Sequence, residues 1–324
     1  MTSITRRHAL ALGSGALLLP AAARAQAWPS GPVTFVVGYA AGGSTDINAR
    51  ELGQVMTPVI GQQIIIDNKG GAAGSIGLRA VAAAKPDGQT LFVAVGTNVI
   101  INPHVQKGMI DTIAALAPVC QVTSYQYVLV VGNKVPANNA AELVALAKKD
   151  PDKLTYSSSG VGGNNHLAGA LFAKAAGVQI THVPYKGTGP AVADVISGQI
   201  TMNFSSLPPA VSQVKGGNLK ALAVTGNKRV KSMPDVPTLK EQGIDVVVTS
   251  WQGLFAPAKT PPDVLDKIEK ATKEGMKNPK WHEALARDGL EQPPERSRAE
   301  FTRFVKDEHT FWGKKLKELK IEME

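Results

Sequence analysis

The chain has 324 residues, enough for two α/β domains, with 44% hydrophobic and 19% charged residues, an ordinary balance for a folded protein. The formal charge is +9, but no basic stripe with interleaved aromatics occurs, which argues against a nucleic-acid-binding role. A single cysteine, Cys120, excludes an intramolecular disulfide and a cysteine-rich metal site.

The first residues read as an export signal. Arg6 and Arg7 precede an apolar stretch over residues 9–19, and Ala23-Arg24-Ala25 fits the small-x-small cleavage rule. Residues 1–25 are therefore expected to be removed, leaving a periplasmic chain. Thr5-Arg6-Arg7-His8-Ala9-Leu10 also fits a twin-arginine signal, with an ordinary secretory signal as the alternative. The apolar stretch is too short to span a bilayer. Taking Arg6, Arg7 and Arg24 from the 35 basic residues leaves 32 against 26 acidic ones, a mild excess that suits an anionic ligand. Lys306, Lys314, Lys315, Lys317 and Lys320 supply much of it on one terminal helix, where Glu308 and Glu318 interleave.

Along the mature chain, Val33 to Val37 is a β-branched run ending in a turn cluster. From Asp46 the residues Ala49, Leu52, Met56 and Val59 recur at helical spacing, with Gly61 as the stop. Residues 64–66 form the next strand. A loop over 68–74, an alanine-rich helix over 75–84 and a strand over 91–95 follow, closed by Gly96-Thr97-Asn98. The same plan then recurs: strand 154–157, loop 158–165, helix 166–176, strand 178–183, loop 184–189, helix 190–196, strand 200–204. Strand, glycine loop and helix in alternation predict parallel sheets flanked by helices. Two such units predict two lobes. Residues 125–131 and 246–254 are read as the crossings between them, and helices 262–276 and 298–319 as the completion of the first lobe. The lobes are then 26–127 with 250–324, and 128–249. Cys120 lies in an apolar run, 117–122, and is read as core.

Four strand-to-helix loops carry the expected chemistry, because ligands of α/β folds bind at the carboxyl ends of the strands. They are Ala40-Ala41-Gly42-Gly43-Ser44-Thr45-Asp46, residues 68–75, Ser158-Ser159-Gly160-Val161-Gly162-Gly163-Asn164, and Tyr185-Lys186-Gly187-Thr188-Gly189-Pro190. A helix start offers unpaired amides and about half a positive charge. Glycines let that backbone approach an anion, so a carboxylate or phosphate can be held without a basic side chain. A tight turn explains any one of these loops alone; four in register point to a ligand. Ligand contacts are expected from Tyr39, Ala40, Gly42, Gly43, Ser44, Thr45 and Asp46, and from Ser158, Ser159, Gly160, His166, Tyr185 and Thr188. Thr97 and Asn98 are expected at the far wall on one side, and Ser205 and Ser206 on the other.

Other chemistries lack their signatures. Gly42-Gly43-Ser44-Thr45 has no P-loop lysine, and residues 160–165 miss the third glycine of a dinucleotide fingerprint. Ser158 or Ser159 with His166 would be the elements of a hydrolase, but no acid–base constellation accompanies them. The histidines occur singly, without metal-ligand spacing. No cofactor and no metal are expected.

The residues now assembled resemble the periplasmic solute-binding receptors of the tripartite tricarboxylate transporter family, also called Bug proteins. The resemblance runs through Trp28-Pro29-Ser30-Gly31-Pro32-Val33, Tyr39 to Asp46 with Arg50, and Asp67 to Gly74. It continues through Gly162 to Gly169, His182 to Pro190, Pro234-Asp235-Val236-Pro237-Thr238 and Trp251 to Pro257. It implies a two-lobed type II periplasmic-binding fold (a Venus flytrap) and a ligand carboxylate held by the 40–46 loop and second-lobe loops. Di- and tricarboxylates, acidic amino acids and aromatic acids are the implied ligands, membrane permease subunits the implied transient partners, and a non-enzymatic monomer the implied form. A sensor that delivers its closed form to a receptor kinase is the alternative. Ala41 stands where many members have Pro, and Lys69-Gly70 where many have Arg-Pro; Lys69 is not assigned to the ligand.

Overall fold

A computed structural model describes residues 28–151 and 153–319. The export segment at 1–25 lies outside the described residues.

The elements follow in order β1 (Val33–Val37), α1 (Ser44–Ile60), β2 (Ile64–Asn68), α2 (Ser75–Ala82), β3 (Thr90–Val95), and short helices α3 (Gly96–Ile100), α4 (Asn102–Val105) and α5 (Thr112–Ala115). Next come β4 (Leu116–Gly132), α6 (Ala140–Lys149), β5 (Thr155–Ser158), α7 (Asn164–Ala176), β6 (Thr181–Pro184), α8 (Thr188–Ser197) and β7 (Met202–Ser206). The chain ends with α9 (Leu207–Lys215), β8 (Leu219–Val224), β9 (Thr249–Pro257), α10 (Pro262–Met276), α11 (Pro279–Asp288) and α12 (Arg298–Leu319).

The alternating plan yields parallel pairing in two places, β2-β1-β3 and β6-β5-β7. Between them run two antiparallel strands, β9 and β4, so the order is β2-β1-β3-β9-β4-β7-β5-β6, with β8 also on β4. β4 is 17 residues long. From Leu116 to Gln126 it pairs with β9; from Tyr127 onward it pairs with β7 and, from Val128, with β8. One strand is thus hydrogen-bonded into both halves, and it exchanges partners at the 126/127 junction. The fold is the two-part α/β architecture expected, with the crossing strands built into the sheets.

Burial follows the pleat and the helical period. Both faces of β4 are covered, so Val128, Leu129, Val130 and Val131 read as a continuous apolar run with no exposed residue. In α10, Val264, Leu265, Ile268, Ala271 and Met276 are buried along one stripe, and that stripe packs on α1. In α1, Ala49, Leu52 and Met56 are fully buried, whereas Val59 stays exposed near the helix end. A second core around Phe92, Trp251, Phe255, Phe301 and Val305 seats α12 against β9. Cys120 is buried in the main core, where desolvation pushes its thiol up to about 12, so it is an inert packing residue.

Candidate functional site

The helix starts decide the site. The N-cap positions of α1, α7 and α8 are Gly43, Gly163 and Gly187, none with a side chain to cap the helix. Ser206 holds that position on α9, and its hydroxyl makes no capping bond. α1, α7 and α8, of 17, 13 and 10 residues, therefore begin with first-turn amides that no cap satisfies, whereas α9 opens on Leu207-Pro208-Pro209, whose prolines carry no N–H. The starts of all four converge on one small cavity of about 20 Å³, lined by Tyr39, Gly43, Ser44, Thr45, Val95, Thr97, Tyr125, Tyr127, Ser159, Asn164, Asn165, Thr188 and Ser206. The lining holds no lysine, arginine or histidine. Two of its hydroxyls, Thr97 Oγ1 and Ser206 Oγ, are buried without a hydrogen-bond partner. Buried polar groups are rarely left so, and both line the cavity.

Three tyrosines form the neutral part of the wall. Tyr125 Oη and Tyr127 Oη lie 3.4 Å apart, two residues along β4 and so on one face of it. Burial raises the pKa of both, and of Tyr39, so all three stay protonated. Tyr39 Oη donates to Ala73 O (3.1 Å) and accepts from Asn98 Nδ2 (2.7 Å). Ala73 O also receives Asn98 Nδ2 and Asn102 Nδ2, at 2.7 and 2.9 Å. These bonds hold Ala72 and Ala73 at φ of 47° and 48°, a left-handed geometry that costs an L-residue about 1–3 kcal/mol. The loop 70–74 is thereby fixed to Tyr39, Asn98 and Asn102 of its own half.

The structure brings Tyr39, Gly43, Ser44, Thr45, Thr97, Ser159, Thr188 and Ser206 of the expected residues to the cavity. It places the others around it. Asn98 sits one bond back, on Tyr39 and on Val95 N (2.9 Å). Asp46 is buried and turned away onto Arg50 (2.9 Å) and the Gly42 amide (3.0 Å), so that amide is already spoken for. Burial pushes the Asp46 carboxyl up, but Arg50, Gly42 and Asn68 together hold it below the usual range. Ala40, Gly160 and Tyr185 line a groove at the lip, and Tyr185 Oη is bound to Asp194. Ser205 Oγ turns to Ser206 O, because adjacent residues of a strand face opposite sides and Ser206 has the cavity side.

Ser158 and His166 belong to a support behind the loop. The His166 and His182 rings stack at 3.9 Å and 5°, His166 Nδ1 accepts from Gly162 N (3.2 Å), and Ser158 Oγ meets His182 Nε2 at 2.6 Å. Since α7 begins at Asn164 rather than at His166, Asn164 and Asn165 take the cavity positions. Asn165 Oδ1 accepts from Ser159 Oγ (2.7 Å), and Asn164 Nδ2 donates to Ser250 Oγ of β9 (2.6 Å). Tyr125, Tyr127, Asn164 and Asn165 were not expected; the usable signal was period two from Tyr125 to Tyr127 and the proximity of 164–165 to a glycine loop. Among the described residues no group of His, Cys, Asp or Glu could hold a metal, and no helix is long and apolar enough to cross a membrane.

Comparison with known proteins fits this geometry. The description "Tripartite tricarboxylate transporter family receptor" matches residues 48–321. The chain belongs to that family. It is thus a TctC/Bug-type periplasmic solute-binding receptor, a class without catalysis of its own. The structure of the periplasmic binding protein BugD is 34% identical, covering 90% of this chain and 98% of that one, with a TM-score of 0.86. A protein from R. palustris solved with adipate is 30% identical, over 90% and 97% of the two chains, with a TM-score of 0.85. MatC from Rhodopseudomonas palustris, solved with bound malate, is 28% identical over 89% and 99%, with a TM-score of 0.84.

Proposed function

We propose that this receptor captures a small organic carboxylate between its two halves for a tripartite-type membrane transporter. One observation carries the reading: three uncapped helix starts, those of α1, α7 and α8, and two orphaned hydroxyls meet in one cavity that has no basic side chain. Such a site compensates negative charge with amides and helix dipoles. A hydrogen bond to a carboxylate nets about 1.5–3 kcal/mol, so three to five of them support micromolar or tighter binding after association costs. The adipate and malate complexes of two relatives support the same ligand class.

The moving bodies are residues 26–127 with 250–324, and residues 128–249. The partner exchange of β4 between Gln126 and Tyr127, and the start of β9 at Thr249, support this division. A cavity of about 20 Å³ holds little more than one water, so a ligand enters when the halves part and is buried as they return. The closed form is the one the permease subunits recognise, and the exported chain begins near Gln26 after removal of residues 1–25.

A thermal-shift and calorimetric panel of mono-, di- and tricarboxylates, aliphatic and aromatic, tests the reading against neutral amide and cationic controls. A bound acid at 100 times its Kd adds about 2.7 kcal/mol of stability. Heat from neutral or cationic compounds alone would refute the reading.

A further inference from the structure

Where the two halves meet, the protein makes bonds to itself. Ala40 N donates to Lys186 O (3.1 Å), and Gln106 Nε2 donates to Val161 O (2.9 Å). Gln106 follows α4 in the first half; Val161 lies in the glycine loop of the second. The amide of Gln106 is pre-aimed: its Oε1 accepts from Ser75 Oγ at 2.7 Å, which leaves Nε2 facing the cleft, where Ala72 O lies at 3.3 Å. The loop it receives is shaped to come close. Gly160 and Gly162 both have left-handed φ, of 125° and 81°. A Cβ on Gly160 would stand 3.0 Å from Ala73 N, and one on Gly162 would stand 2.9 Å from Val105 Cγ2. Glycine backbone therefore meets the Ala73 backbone and the Val105 side chain across the cleft, and Gln106 is not among the residues lining the ligand cavity.

We infer that Gln106 is a closure clasp, a positioning residue that holds the two halves together without touching the captured carboxylate. The inference rests on the proposed capture between the halves and adds its regulation. Free energy from the clasp belongs to the closed form alone. It raises the fraction of ligand-free receptor already closed, and the apparent Kd falls in proportion. A carboxamide is required: one atom accepts from Ser75 while the other donates to a carbonyl, which a carboxylate cannot do.

The test separates a clasp from a local brace. Gln106→Glu keeps the acceptor for Ser75 and loses the donor for Val161, whereas Gln106→Ala loses both. Spin labels at Val59→Cys in α1 and Ile196→Cys in α8, both exposed positions, report the distance between the halves, since Cys120 is buried. Ligand-free receptor should show a closed population that both Gln106 variants lose, with little change in melting temperature. With malate or adipate, both variants should reach the same closed distance at saturation. Their Kd should be about threefold to tenfold weaker, through faster dissociation. A Gln106→Glu variant that matches the unsubstituted protein would overturn the inference, as would the absence of any closed ligand-free population. If no acid of the panel binds either protein, the capture reading fails, and the ligand-free distances still judge the clasp.

Discussion

Gly43 is the position at which the anion site can be tested with least damage to the fold. Its φ of −82° and ψ of 168° are open to any residue, so no backbone strain accompanies a side chain there. A Cβ would lie 3.6 Å from Ala40 O, 3.7 Å from Thr188 N and 3.9 Å from Gly189 N, all ordinary contacts. Gly43→Ala should therefore be mild. Valine adds methyl groups about 1.5 Å further out, which brings them against the amides that open α8. The halves must then stay apart, or those amides are lost to the ligand. Two charge-assisted bonds lost at about 1.5–3 kcal/mol each weaken the Kd by roughly a hundredfold to ten-thousandfold. Calorimetry with the best acid of the panel reads the affinity, and a ligand-free melt checks the fold. A Kd within threefold of the unsubstituted protein, with a native melt, would show that the 40–46 loop and α8 do not share a ligand.

The stacked imidazoles predict a pH effect. Burial first, and then the neighbouring ring, lowers His166 to about 3; burial lowers His182 to about 4. Protons bind the unfolded chain more readily, so stability is fully present above pH 6.5 and is lost as pH falls toward 4. From pH 6.5 to 5 the loss attributable to His166 alone is about 2 kcal/mol. Melts across that range should slope steeply, and His182→Gln should flatten them; an equal slope in the variant would refute the assignment. Tyr39→Phe removes one of three bonds to Ala73 O and leaves the strained loop less secure. It should cost about 1–2 kcal/mol, read as a melt lowered by a few degrees, together with weaker acid binding. An unchanged melt would show that the loop is held by the two asparagines alone.

The alternation of glycine loops and helices was enough to read the two halves and the three loops that meet at the cavity, because each junction carries its own local signal. Crossings were harder. Residues 125–131 and 246–254 are apolar enough to be strands, but only tertiary pairing shows that β4 runs from Leu116 and serves both sheets. Gly96-Thr97-Asn98 reads as a turn and is instead the first turn of α3, its Asn98 side chain bonded back to Val95 N. Side-chain direction at element ends was the least accessible. Ser205 and Ser206 are equivalent until the register of β7 on β4 sets Ser206 opposite Tyr127. His166 looked like the helix residue nearest the ligand, and a start two residues earlier gave that place to Asn164 and Asn165. Gln106 had no local signature, since its role depends on a loop 55 positions away.

A recognition surface made of main-chain N–H groups is largely immune to side-chain replacement. Mutation can recolour the tyrosines and asparagines around the cavity, and so change which molecule fits, while the pull on negative charge persists as long as three helices begin where they do. On the proposed reading, cargo can change through side-chain replacement while the main-chain donors for an acid stay in place.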